Sequence, residues 1–149
     1  MKEKIKAIEE LRAEYTNQSR VLIHELAQDL LNLDTAIRGV TWTQYTPYFN
    51  DGEPCTFGVN DPALILSNGS FVDKHKNSMY CNHSNENEGE YEFSYQADLV
   101  QELQPIIRAL REFSRFLNNN SSVVQEVFGD GVKVTITRTN TKIDECPHE

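Results

Sequence analysis

Apolar residues at Ile8, Leu11, Tyr15, Leu22, Leu26, Leu30, Leu33 and Ile37 return at intervals of three, four and seven, which is one face of a helix. No Pro or Gly precedes Gly39, so the pattern predicts a helix over residues 2–37, within a segment 1–38 that Gly39 caps. Such a helix is about 54 Å long. A compact domain of this size is roughly 40 Å across. The helix therefore either breaks within Thr16-Asn17-Gln18-Ser19 or overhangs and takes a partner, most simply a second copy of the chain.

The rhythm then changes from helical spacing to alternation. Val40 and Trp42 alternate with Thr41 and Thr43, and Cys55, Phe57 and Val59 alternate with Thr56 and Gly58. Asn50-Asp51-Gly52 between them is a turn signal, so the pair reads as a hairpin. Leu64-Ile65-Leu66 suits a third strand, completing residues 40–66. Residues 73–90 are rich in Asn, Ser and Glu and read as a polar, mobile loop.

Leu99, Leu103, Ile106, Leu110, Phe113 and Leu117 restore the helical rhythm, with Pro105 as a kink or restart. Ser122-Val123-Val124-Gln125 has the form of a capping box for a short helix ending at Gly129, so residues 98–128 are helical. Val132, Val134 and Ile136 alternate with Lys133, Thr135 and Thr137, and residues 132–146 form the last strands. The order predicts a single α+β domain over residues 1–149: an antiparallel sheet covered on one face by a long N-terminal helix and a second long helix.

Charge narrows the function classes. The 149 residues carry a net charge of −9, which argues against nonspecific DNA binding and for solubility or a basic partner. The cysteines are odd in number (Cys55, Cys81 and Cys146), the first residues lack an apolar signal core, and no apolar run is long enough to span a membrane. The expectation is a cytoplasmic protein with reduced thiols.

Three constellations could carry chemistry. Arg108, Arg111 and Arg115 fall within roughly 60° of one another on a helix, opposite its apolar stripe. Clustered guanidinium groups suit phosphate or carboxylate, though a solvated helix back is the blander account. Trp42, Tyr45, Tyr48 and Phe49, beside Asn50 and Asp51, form an aromatic hairpin suited to stacking and hydrogen bonding, unless alternate residues simply face the core. Cys81-x-His83 and Cys146-x-His148 share one spacing, and two Cys with two His suit tetrahedral zinc. His75 is a further candidate ligand. The spacing differs from the usual zinc motifs, coincidence is the simpler account, and no metal or other cofactor is expected.

Cys55 on its strand reads as buried rather than nucleophilic, and Asp51 with Glu53 reads as a turn. No Gly-rich phosphate loop, G-x-S-x-G or H-E-x-x-H occurs, so the chain reads as a non-enzyme with no catalytic residues.

The stretch Trp42-Thr43-Gln44-Tyr45-Thr46-Pro47-Tyr48-Phe49-Asn50-Asp51-Gly52-Glu53-Pro54-Cys55-Thr56-Phe57 resembles a set of uncharacterised small bacteriophage and prophage proteins that share W-x-Q-Y-T-P-Y-F-N-D-G-x-P-C-x-F. Phe128 to Arg138 is also similar to that set, and the likeness covers about a third of the chain. The resemblance implies a phage or prophage origin, hence a host-cell cytoplasm, and transfers no catalytic residue.

Size, acidity and resemblance together favour a binding protein that blunts a host defence. It would capture a phosphorylated nucleotide signal with Arg108, Arg111, Arg115 and the hairpin. The alternatives are an acidic inhibitor that covers a basic host protein, and a small hydrolase or zinc-binding protein.

Overall fold

The computed structural model describes residues 1–47, 52, 54–84 and 88–146, and the side chains of residues 82–84 are not among those described. Helix α1 spans Lys2–Leu31 without a break, so the polar stretch at Thr16–Ser19 does not interrupt it. Its second half alone is buried, through Ile23, Ala27, Leu30 and Leu31. Ile5, Ile8, Leu11 and Tyr15 in the first half are exposed.

The helix ends six residues short of the expected stop. Strand β1 begins at Ile37 and runs to Tyr45, so Ile37 is a strand residue and Gly39 is not a cap. The stop is made from elsewhere in the chain. The Arg138 guanidinium donates to the carbonyls of Leu31 and Ile37, each at 2.5 Å, and of Asp34 at 3.2 Å. It thereby occupies a carbonyl that every helix C-terminus leaves open. Gly39 serves a different need: a Cβ there would sit 2.9 Å from the Ile136 carbonyl oxygen of the neighbouring strand.

The expected hairpin is present in reduced form. Strand β2 is only Gly58–Val59, paired with Tyr45 and Gln44, and residues 54–57 join no ladder. Strand β3 is Ala63–Ser67. Helix α2 (Ser70–His75) and a 3-10 turn follow, and then strands β4 (Met79–Ser84) and β5 (Glu88–Phe93). The stretch expected as a mobile loop, 73–90, therefore holds the end of α2, the 3-10 turn, β4 and the start of β5. Glu88, Glu90 and Glu92 alternate with Gly89, Tyr91 and Phe93, a period of two, and Gly89 and Tyr91 are buried.

Residues 95–103 form two 3-10 turns, with Leu99 exposed rather than on a buried stripe. Helix α3 starts at Gln104, with Pro105 in its first turn where the missing N–H costs nothing, and runs to Asn119. Helix α4 is Ser121–Phe128 with Asn120 at its N-cap and no side-chain capping bond, so the capping box does not form. It ends at Gly129, whose φ of 105° lies in the region that favours glycine. Strands β6 (Val132–Thr137) and β7 (Thr141–Glu145) close the chain.

All pairings are antiparallel, in the order β4-β5-β3-β1-β6-β7, with β2 on the end of β1. The expected α+β architecture is thus the one observed, with the long first helix and α3 packed against this sheet. Val40, Trp42 and Gln44 on β1 meet the helices. The Trp42 ring stands edge-on to Phe113 of α3 at 5.5 Å and to Phe128 of α4 at 5.6 Å.

One polar side chain lies fully inside this layer. The Gln44 amide accepts from the Trp42 indole N–H at 2.8 Å and donates to the carbonyls of Val124 at 3.2 Å and Gly129 at 2.6 Å. All three partners lose their bond if the amide goes. Gln44→Leu should therefore cost about 3 kcal/mol, given about 1–3 kcal/mol for each buried group left unsatisfied. Urea unfolding followed by Trp42 fluorescence checks this.

Candidate functional site

The sequence-predicted residues do not converge. Arg108, Arg111 and Arg115 are all exposed on α3, and Arg111 is held by Asp98, its Nη2 donating to both carboxylate oxygens at 2.9 and 3.0 Å. Trp42 is 2% exposed and packs on Phe113, on the buried face of the same helix. The body of α3 thus stands between the arginines and the indole, which has no ring face left for a ligand. Tyr45 is half-buried on β1, and Tyr48, Asn50 and Asp51 lie outside the described residues.

The zinc constellation is also divided. Cys81 is on β4 and Cys146 follows β7, and these are the two opposite edges of the sheet. Five strand spacings separate them, about 24 Å at about 4.8 Å each, so the two pairs cannot share one ion. The His83 side chain and His148 lie outside the described residues, and among those described no three His, Cys, Asp or Glu side chains gather to hold a metal. Cys55 is exposed, against the expected burial, because the ladder starts only at Gly58.

The structure instead opens a cleft of about 800 Å³ at the end of the sheet where β1 begins and β3 ends. Three segments wall it: the turn 33–36 after α1, the β3–α2 junction with α2, and the start of α3. Arg138 braces the first wall through its bonds to the Leu31 and Asp34 carbonyls. Asp34 adds a local tie by accepting from the Ala36 N–H at 2.8 Å.

A β-bulge aims the principal cation. Ile37 pairs with Leu66 and Gly39 with Ile65, so β1 has two steps where β3 has one and Arg38 is the extra residue. Bulges re-aim side chains in this way. Arg38 lines the cleft and its Nε donates to the Ser67 hydroxyl. Lys74 and His75 of α2 line the same cleft. His75 is 5% exposed, with its ring edge-on to Phe71 at 4.8 Å and its Nε2 3.7 Å from a Glu102 carboxylate oxygen.

Glu102 is the counterion on the far wall. Lys74 Nζ lies 2.7 Å from one of its oxygens and 3.0 Å from the other. The hydrogen bond from Lys74, and then its charge, hold the Glu102 carboxyl below the usual glutamate range. Chemically, the cleft offers a guanidinium, an ammonium and an imidazole beside the hydroxyls of Ser67 and Ser70 and the ring of Phe71. That set can neutralise and hydrogen-bond a phosphate or carboxylate while an apolar edge covers a ring.

Of these cleft residues the sequence singled out His75 alone, as a candidate metal ligand rather than as part of an anion site. The bulge at Arg38 depends on a partner strand, and Lys74 and His75 fall in the stretch read as loop. The signal that could have found them is local: Lys74-His75-Lys76 concentrates positive charge in an acidic chain. No protein-family model, curated protein or solved structure matches the chain.

Because the folded-state pKa of Glu102 is depressed, its pair with Lys74 contributes stability above the unfolded glutamate value. That contribution is lost as pH falls through the folded value. In Lys74→Met the Glu102 carboxyl should titrate at higher pH, nearer the ordinary range, which carbon-detected NMR of the side chain reads directly.

Proposed function

We propose that the protein is a non-enzymatic binding protein of phage type that antagonises a host defence by holding a phosphorylated nucleotide in the cleft between α2, α3 and the start of β1. The observation that carries this reading is that Arg38, the extra residue of the bulge, lines one cleft with Lys74 and His75 in a chain of net charge −9. Three basic side chains on one concave surface are unusual in an acidic protein. Asp34 and Glu102 line the same cleft and offset part of that charge, while the screening length of about 8 Å at physiological salt removes the more distant carboxylates. The volume of about 800 Å³ lies in the range of small-molecule sites. The phage origin and the defence role rest on the sequence resemblance, and the choice of anion rests on the cleft.

Glu102 then acts as a placeholder: an incoming phosphate takes its position beside Lys74. The Arg108/Arg111/Arg115 stripe is left as a solvated helix face, with Arg111 paired to Asp98.

Calorimetry against a panel of cyclic and ADP-ribose nucleotides, with protein freed of bound nucleotide, tests the reading. Arg38→Gln and Lys74→Gln should each weaken binding about tenfold, equivalent to about 1.4 kcal/mol. Glu102→Gln should tighten it, and Arg108→Gln with Arg115→Gln should leave it unchanged. Absence of heat with every ligand sinks the proposal. Loss of binding in the Arg108/Arg115 double variant moves the site to α3.

A further inference from the structure

Helix α1 carries an apolar seam that its own domain does not cover. Ile8, Tyr15 and Leu22 recur at seven, with Leu11 between, and they are 65%, 59%, 62% and 66% exposed in the order Ile8, Tyr15, Leu22, Leu11. A seven-residue repeat suits a second helix wound alongside better than it suits a flat sheet. The seam borders a groove of about 290 Å³, where Tyr15, Leu22 and Leu26 face Phe116 and Val123 of α3 and α4. The helix is anchored by its buried second half, through Ile23, Ala27, Leu30 and Leu31, and Arg12 Nε adds a surface contact to Glu126 of α4 at 2.7 Å.

Charge identifies what covers it. Lys2, Lys4 and Lys6 lie at the N-terminus of α1, Glu25 and Asp29 lie toward its C-terminus, and its last turn holds no basic residue. Apart from Glu3, these charges are opposed to the helix's own dipole at both ends. On the helical wheel Lys4 and Asp29 lie on the seam side and Glu25 beside it, whereas Lys2 and Lys6 point away, so a second α1 running antiparallel sets Lys4 of each copy beside the acidic end of the other.

We propose that the protein is a two-fold dimer in which two α1 helices pair antiparallel about an axis close to Tyr15, each helix laying Ile8 and Leu11 against the Leu22–Phe116 groove of the other. The arrangement is isologous, since one surface meets itself. Two helices paired along about 45 Å bury on the order of 800 Å² per partner, the size of a standard stable interface. The seam does not include the cleft residues, so the dimer stands independently of the nucleotide reading.

Two measurements on the intact protein test it. Sedimentation equilibrium at about 50 µM should return twice the chain mass of 17.1 kDa. Zero-length carbodiimide coupling, read by peptide mass spectrometry, should join Lys4 to Glu25 or Asp29. Within one helix those groups are about 35 Å apart, so only an antiparallel partner can supply the link. Ile8→Glu with Leu11→Glu, both on exposed positions, should give a monomer without the link while Trp42 fluorescence and circular dichroism stay unchanged. A wild-type monomer overturns the proposal, because the seam then serves a different protein. A dimer that lacks the lysine-to-acid link overturns the antiparallel arrangement.

Discussion

One buried amide sets the relation between the two layers. Gln44 sits on the central strand, and its side chain takes the Trp42 N–H and gives its own protons to the carbonyls of Val124 within α4 and Gly129 at its end. Hydrophobic contact alone would hold helices on the sheet in many rotations, since it has no direction. The amide has direction: both its carbonyl and its NH₂ are used, so the indole and the terminus of α4 have one arrangement that satisfies every buried group. Asp130 repeats the device just outside the core, accepting from the Thr46 N–H at 2.9 Å and from its hydroxyl at 2.6 Å. The two contacts together hold the Gly129–Gly131 turn against the end of β1.

The cleft lies at the other end of the same strand, and it depends on two long-range features. Arg138 closes α1 and braces the turn that forms one wall. The bulge at Arg38 then sets the guanidinium outside the regular ladder. β1 is therefore asymmetric: one end is locked by hydrogen bonds into the core, and the other is shaped to present a cation. Loops placed by a rigid scaffold are where binding residues concentrate, and the walls of the cleft fit that pattern.

Much of the fold was legible because its signals are local. Apolar spacing gave α1 and α3, alternation gave β1 and β6, the apolar run Leu64-Ile65-Leu66 gave β3, and Gly129 marked the end of α4. The end of α1 was not legible, because its stop comes from Arg138, 107 positions further on. Gly39 misled for a related reason: its small size answers to the Ile136 carbonyl on another strand, not to a helix terminus. β5 could have been read. Its glutamates keep a period of two, but acidic composition outweighed alternation. Of the candidate site, only the charge of Lys74 and His75 was visible, since a bulge exists relative to a partner strand that a single sequence does not identify. The Arg stripe was placed correctly on an exposed helix face, and its relation to Trp42 was not, because α3 stands between them.

The sheet order also bears on how the chain assembles as it is made. Thr41 on the central strand donates to the carbonyl of Val134, 93 positions later. At about 5–20 residues per second, translation needs about 5–20 s to deliver that partner. During that interval β1 can pair on its β3 side while its other edge stays open. Few of its contacts are near in sequence, so closure is slow by topology as well. The nascent protein is thus a half-sheet beside a helix whose end Arg138 has yet to close. β6 is the late strand that turns this aggregation-prone intermediate into a closed domain.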